Sequence, residues 1–225
     1  YPFVFMDAIH YKVRDEGRIV SKAAYIVLGV TTEGYKDILS ITVGANESSK
    51  FWLGMLNDLK NRGVQDVLFF CVDGLPGFRD AIQTVFPQAQ IQRCIIHMLR
   101  NSFKYVNYSD LKKFASDFKA VYNASTEEMG KLELETLKGT WGKKYPYAIR
   151  SWEDNWEDLS SFYQFSGELR KIMYTTNIIE GVNRQYRKAT KNKSVFPNDA
   201  SLAKMLYLAS QNVMKKWTQR YRGWD

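Results

Sequence analysis

The sequence predicts an α/β protein: a sheet-forming half, then a block of helices, then a basic helical end. Three observations carry this. The first hundred residues alternate β-prone runs with turn signals and short helical stretches. From Ile95 to about Lys171, apolar and aromatic residues recur at helical spacing instead. Finally, twelve of the 32 Lys and Arg but only three of the 24 acids lie between Arg170 and Asp225, so the whole net charge of +8 resides in the last quarter.

Taken in order, Phe3 to Val13 is nearly continuous apolar or β-prone sequence, interrupted by Asp7 and His10. Asp15-Glu16-Gly17 signals a turn, Ala24 to Val30 a second strand, Glu33-Gly34 another turn and Tyr35 to Val43 a third strand. These predict an antiparallel meander. Ser48 or Ser49 can cap a helix that buries Phe51, Leu53, Met55, Leu56 and Leu59 and stops at Gly63. Val67 to Val72 is apolar throughout, as a strand covered on both faces requires. It ends at Asp73-Gly74, and a helix from Phe78 to Val85 and a brief strand from Ala89 to Gln92 follow. Helices are expected near 95–106, 109–123, 126–138, 144–155 and 157–171, with Ser125 and Glu128 at capping-box spacing. Two more are expected at Asn177–Lys191 and Asn198–Trp217, separated by Pro197. The aromatics of the helical block, Trp141, Trp152 and Trp156 among them, could serve as a subunit or DNA contact, but at helical spacing they read as core.

Composition narrows the function. With 45% hydrophobic residues the chain buries a core, and no run approaches the ~20 apolar residues of a membrane helix. Two cysteines, Cys71 and Cys94, cannot form a disulfide framework and fit a reducing interior. A chain that opens at Tyr1 and is strand-like by Phe3 reads as a domain of a longer protein. The clustered positive charge predicts an anionic partner held by the last quarter.

Three acids stand out. Asp73 ends an apolar strand, at the sheet edge where α/β proteins build sites, although an Asp before Gly-x-Pro-Gly is equally well explained as turn chemistry. Asp7 lies inside an apolar strand, where a charge is costly unless paired or bound to a metal, and alone it also reads as a strand-end residue or the partner of Lys12 or Arg14. Carboxylate oxygens of this kind suit Mg²⁺ or Mn²⁺. Glu180 has three readings: a capping-box residue after Asn177, a salt-bridge partner of Arg184, or a metal ligand. On a helix it heads a face formed with Arg184, Arg187, Lys188 and Lys191, which could hold a phosphate backbone beyond the acid. Asp199 sits at a helix start, where the dipole accounts for it.

The set Asp7, Asp73 and Glu180 resembles the DDE acids of transposases and integrases with a ribonuclease H-like fold. The stretch DGLPGFRDAIQTVFPQAQIQRCIIH, Asp73 to His97, is more specific and resembles the motif of Mutator-type bacterial insertion-sequence transposases. TTNIIEGVNRQYRK, Thr175 to Lys188, and FPND, Phe196 to Asp199, resemble that family's third-acid region, and Asp7, Lys12, Val13 and Arg14 its first-acid strand. One departure is that Tyr186 and Lys188 stand where the family tends to continue with consecutive arginines.

The resemblance implies a ribonuclease H-like mixed sheet flanked by helices. The core would comprise residues 1–98 and 172–225, interrupted by an all-helical insertion at 99–171. It implies Mg²⁺-dependent nicking of transposon ends and strand transfer by 3′-hydroxyl attack, with Mn²⁺ substituting. Asp7, Asp73 and Glu180 would be the catalytic, metal-holding acids. Arg184, Arg187, Lys188, Lys191 and Lys193 would position DNA, with Lys12 and Arg14 as lesser candidates. The expected partners are transposon-end and target DNA and further copies of the chain on DNA, in the bacterial cytoplasm near the nucleoid and away from membranes. A ribonuclease H-like nuclease without strand transfer and a domesticated DNA-binding module are the alternatives. Cys94-x-x-His97 suggests zinc, but Cys71 and His10 are the only other soft ligands and are scattered, so no zinc is expected. The resemblance marks Cys94 and His97 without giving either a role.

Overall fold

Burying the apolar runs of the first ninety residues takes a sheet with both faces covered, and the computed structural model of the chain has that arrangement. It describes residues 1–44, 48–174, 177–221 and 224, and of Lys171, Tyr174 and Asn177 the backbone alone. The capping role read for Asn177, the start of the Thr175–Lys188 motif and the terminal Asp225 therefore lie outside the described residues. The chain forms two compact units, Tyr1–Ile91 with Thr176–Asp225, and Gln92–Thr175.

The first unit is built on a five-stranded sheet of order β3-β2-β1-β4-β5. β1 (Phe3–Asp15) and β2 (Arg18–Val30) form a long antiparallel hairpin, and β3 (Lys36–Gly44) pairs antiparallel with β2. The β1–β2 turn has positive φ at Glu16 (44°) and Gly17 (77°), matching the right-handed twist of the strands. β2 starts at Arg18, six residues before the run that predicted it. Arg18, Ser21 and Lys22 obscure its pattern, because Lys22 is buried through ion pairs with Asp15 (2.9 Å) and Asp199 (2.8 Å). β4 (Phe69–Val72) pairs parallel with β1 in the register Phe3↔Phe69, Val4↔Phe70, Phe5↔Cys71, making the sheet mixed. β5 (Gln90–Arg93), where the two units divide, lies at the far edge.

α1 (Ser49–Asn61) and α2 (Phe78–Val85) cover one face of this sheet. Ser48 Oγ accepts the Phe51 N–H (3.2 Å) as the cap of α1. Trp52, Leu56, Phe78 and Ile82 pack there on the even-numbered residues of β1 and β4: Val4, Met6, Phe70 and Val72. Each fully buried aliphatic or aromatic side chain contributes about 1.5–3 kcal/mol.

The second unit is helical in its described residues beyond β5: α3 (Ile95–Ser102), α4 (Leu111–Asn123), α5 (Glu127–Trp141), α6 (Pro146–Glu153), α7 (Trp156–Ser160) and α8 (Gly167–Tyr174). Its core holds Phe114, Phe118, Trp141 and Trp152, so these aromatics are structural. Trp156 is half-buried, with its indole N–H on Glu127 (3.0 Å). Two expectations need correction. The cap of α5 is Thr126, whose Oγ1 accepts the Met129 N–H (3.3 Å), while Ser125 Oγ turns to the Met129 sulfur. The single helix expected at 157–171 is α7, a 3₁₀ turn at Ser161–Gln164 and α8. The Arg170 guanidinium fills the break, donating to the carbonyls of Phe165, Ala124, Ser125 and Tyr163.

The chain then returns to the first unit as α9 (Asn177–Thr190) and α10 (Asp199–Met214). α9 packs on β1, α10 packs on β3 and on α9, and together they occupy the other face of the sheet. The Tyr186 and Ser210 hydroxyls lie 2.6 Å apart and join the two helices, and burial pushes the Tyr186 phenol up to about 12. Between the helices, Phe196 makes a parallel bridge to β1, donating to the Lys12 carbonyl and accepting the Arg14 N–H. Among the described residues no helix is long and apolar enough to cross a membrane.

Candidate active site

Side chains alternate along a strand, so the odd-numbered residues of β1 share the face covered by α9. Tyr11 meets Phe196 edge to face on that side, with ring centroids 5.8 Å apart. Asp7 belongs to this odd set and is half-buried. Its Oδ1 accepts the Ala8 N–H (2.8 Å) and its Oδ2 accepts from Asn183 Nδ2 (2.5 Å). β4 has its odd residues Phe69 and Cys71 in register with Phe3 and Phe5. β4 ends at Val72, and extending its register by two residues past the last pair would bring Asp73, the next residue, level with Asp7. Asp73 is also half-buried, and its carbonyl accepts the Leu75 N–H (2.8 Å), so the turn explanation holds for its backbone.

Glu180 approaches from the helix side. The buried face of α9 consists of Ile179, Val182, Asn183, Tyr186 and Thr190. Glu180 sits half-buried at the margin of that face, one turn before Asn183. The Asn183–Asp7 hydrogen bond thus fixes the register of α9 on β1 at the level of the acids. Asp7, Asp73 and Glu180 all belong to the first unit, contributed by a central strand, the end of its parallel neighbour and the helix packed above.

Arg184, Arg187, Lys188, Lys191 and Lys193 are all exposed. The first three run along the outer side of α9, and Lys191 and Lys193 continue into the loop that closes on Thr190 and Lys188. Lys12 and Arg14 are exposed too, but as even-numbered residues of β1 they project from the opposite face to Asp7. The structure does not bring them to the acids. Asp199 opens α10, as its dipole account requires, and it also binds buried Lys22.

Asn183 had no role assigned from sequence. It is 1% exposed, its amide nitrogen serves Asp7, and its Oδ1 is buried without a hydrogen-bond partner. The available signal was its i+3 spacing from Glu180 on a helix. Cys94 gains a structural role: its sulfur accepts the His97 N–H (3.4 Å) and caps α3.

A mixed five-stranded sheet with helices on both faces, a carboxylate inside a central strand, another just past the end of its parallel neighbour and a basic helix packed alongside define a mixed α/β domain. Within that class the chain belongs to the Mutator family of transposases, whose family model matches residues 1–220. Among its relatives, the probable transposase for insertion sequence element ISRM3-like of Sinorhizobium fredii is 44% identical over the full length of this chain. The transposase for insertion sequence element ISRM3 of Rhizobium meliloti is likewise 44% identical over all 225 residues. A probable insertion-sequence transposase of Corynebacterium diphtheriae is 39% identical over 96% of the chain. The chain spans 56%, 56% and 63% of the length of these relatives, respectively.

Proposed function

We propose that this chain is the catalytic portion of a DDE transposase that nicks DNA at transposon ends and joins the freed 3′ end to target DNA. The observation that carries this reading is the β1–β4 register, which extended to Asp73 would bring it level with Asp7, together with the Asn183–Asp7 hydrogen bond from the helix that bears Glu180. The mixed sheet, in which β4 extends an antiparallel meander in parallel, supports a ribonuclease H-like core. On this reading the helical unit is an insertion between β5 and α9.

The donor set suits a divalent ion. It offers hard carboxylate oxygens, and buried Asn183 Oδ1 is a further hard oxygen lacking a hydrogen-bond partner. Asp7, Asp73 and Glu180 would hold Mg²⁺, with Mn²⁺ substituting. When bound, a pair of such ions supplies a more acidic nucleophile and neutralises charge developing at phosphorus. The protein's own groups orient the reaction. Asn183 aims the Asp7 carboxylate, and β1 and β4 fix the two aspartates before DNA arrives. Arg184, Arg187, Lys188, Lys191 and Lys193 hold the phosphate backbone on the outer side of α9. Water attacks the phosphorus at the transposon end, the bond to the 3′-oxygen breaks, and that oxygen leaves as a 3′-hydroxyl after taking up a proton. The 3′-hydroxyl then attacks a target phosphodiester, the same in-line displacement with a different nucleophile. The partners would be transposon-end and target DNA and further copies of the chain on DNA, in the cytoplasm beside the nucleoid.

Asp7→Asn, Asp73→Asn and Glu180→Gln should each reduce Mg²⁺-dependent nicking to background while leaving DNA affinity nearly unchanged. Retained nicking in any variant would remove that residue from the site. Strand transfer from a pre-cut end is expected. Cleavage without it would instead identify a nuclease, and neither activity would leave a DNA-binding module.

A further inference from the structure

A cleft of about 420 Å³ opens between α9 and α10 on the outer flank of the first unit. It is lined by Gln185, Lys188, Ala209, Asn212, Lys216 and Trp217. The volume suits a small planar ligand rather than a peptide. The Lys36 ammonium stands 5.3 Å from the Trp217 ring centroid, and the Trp217 backbone N–H donates to the Met214 carbonyl (2.9 Å). Lys188 belongs both to this cleft and to the basic side of α9. A backbone following that side therefore passes the mouth of the cleft at Lys188.

We propose that this cleft is a binding site for one unpaired nucleobase of a bound DNA strand. The inference rests on the reading of α9 as a phosphate-binding helix. The base stacks on Trp217, its polar edge is met by the Gln185 and Asn212 amides, and Lys188 and Lys216 hold the flanking phosphates. Aromatic stacking tolerates any base, and an amide that both donates and accepts adapts to more than one edge. The cleft thus distinguishes unpaired from paired DNA more strongly than one sequence from another.

Fluorescence anisotropy with three labelled probes of one sequence tests this: a single strand, a perfect duplex and a duplex with one unpaired base. Trp217→Ala should weaken binding of the single strand and the bulged duplex about tenfold or more, with the perfect duplex within about twofold. Trp217→Phe should recover most of the loss, and Lys188→Ala should weaken all three probes. Should Trp217→Ala perturb folding by circular dichroism, the double variant Gln185→Leu/Asn212→Leu serves, with the same selective loss expected. Equal weakening of all three probes, or no change, in the Trp217→Ala or double variant would overturn the proposal. Unchanged duplex binding by Lys188→Ala would overturn the phosphate reading of α9 and the base site with it. Loss of nicking in the carboxylate variants bears on the chemistry alone.

Discussion

Asn183 shows how one buried amide can organise two acids. Its Nδ2 donates to Asp7 while its backbone places Glu180 one helical turn away. Replacing it by Leu preserves much of the volume and removes the hydrogen bond. Asn183→Leu should raise the Mg²⁺ concentration needed for half-maximal nicking by about ten- to a hundredfold, as loss of a group orienting a metal ligand typically does. Isothermal titration with Mn²⁺ should show the same weakening without DNA present. A purely structural role would lower thermal stability and leave the metal dependence unmoved. The sequence singles out the three acids because each breaks a local rule: a charge in an apolar strand, a charge at a strand end, an acid in a basic quarter. Asn183 was not legible this way, because a buried Asn on a helix looks polar and solvent-facing until its partner on β1 is known. For Lys12 and Arg14 the structure adds the face: nearness to Asp7 in sequence does not say which side of β1 is presented, and they lie on the side opposite Asp7.

Among the elements, α5 separates a motif from the geometry it stands for. Ser125 and Glu128 have the spacing of a capping box, yet the chain begins its helix one residue later and Thr126 caps it. Thr126→Ala should cost about 0.5–2 kcal/mol in chemical denaturation, whereas Ser125→Ala should fall within about 0.5 kcal/mol of the parent. Equal effects would mean that the cap is shared. The element types along the sheet half were readable from periodicity and turns. The first six residues of β2 were not, because buried Lys22 is compensated by Asp15 and by Asp199, which is remote in sequence. The break between α7 and α8 was equally hidden, since the Arg170 guanidinium that satisfies its carbonyls reads in sequence as another surface cation.

At the scale of the whole molecule, the concentration of charge in the last quarter becomes a prediction about which surface meets DNA. Plotting log affinity against log salt, removing Arg187 and Lys191 together should flatten the slope by about 0.9 for each phosphate that is no longer neutralised. Removing Lys12 and Arg14 should leave the slope nearly unchanged, because they project from the face of β1 opposite Asp7; the reverse result would put the DNA on that face. The pairing of β4 with β1 was beyond sequence reasoning, since a parallel register is set between residues more than sixty positions apart. The acid-bearing unit is also discontinuous, with residues 92–175 intervening between its two segments. During synthesis the sheet strands, Asp7, Asp73 and the helical unit are all made before α9. A chain halted before residue 177 would expose the odd face of β1 and lack both Glu180 and Asn183, so under the proposed function the acid set would stay incomplete until α9 had been made.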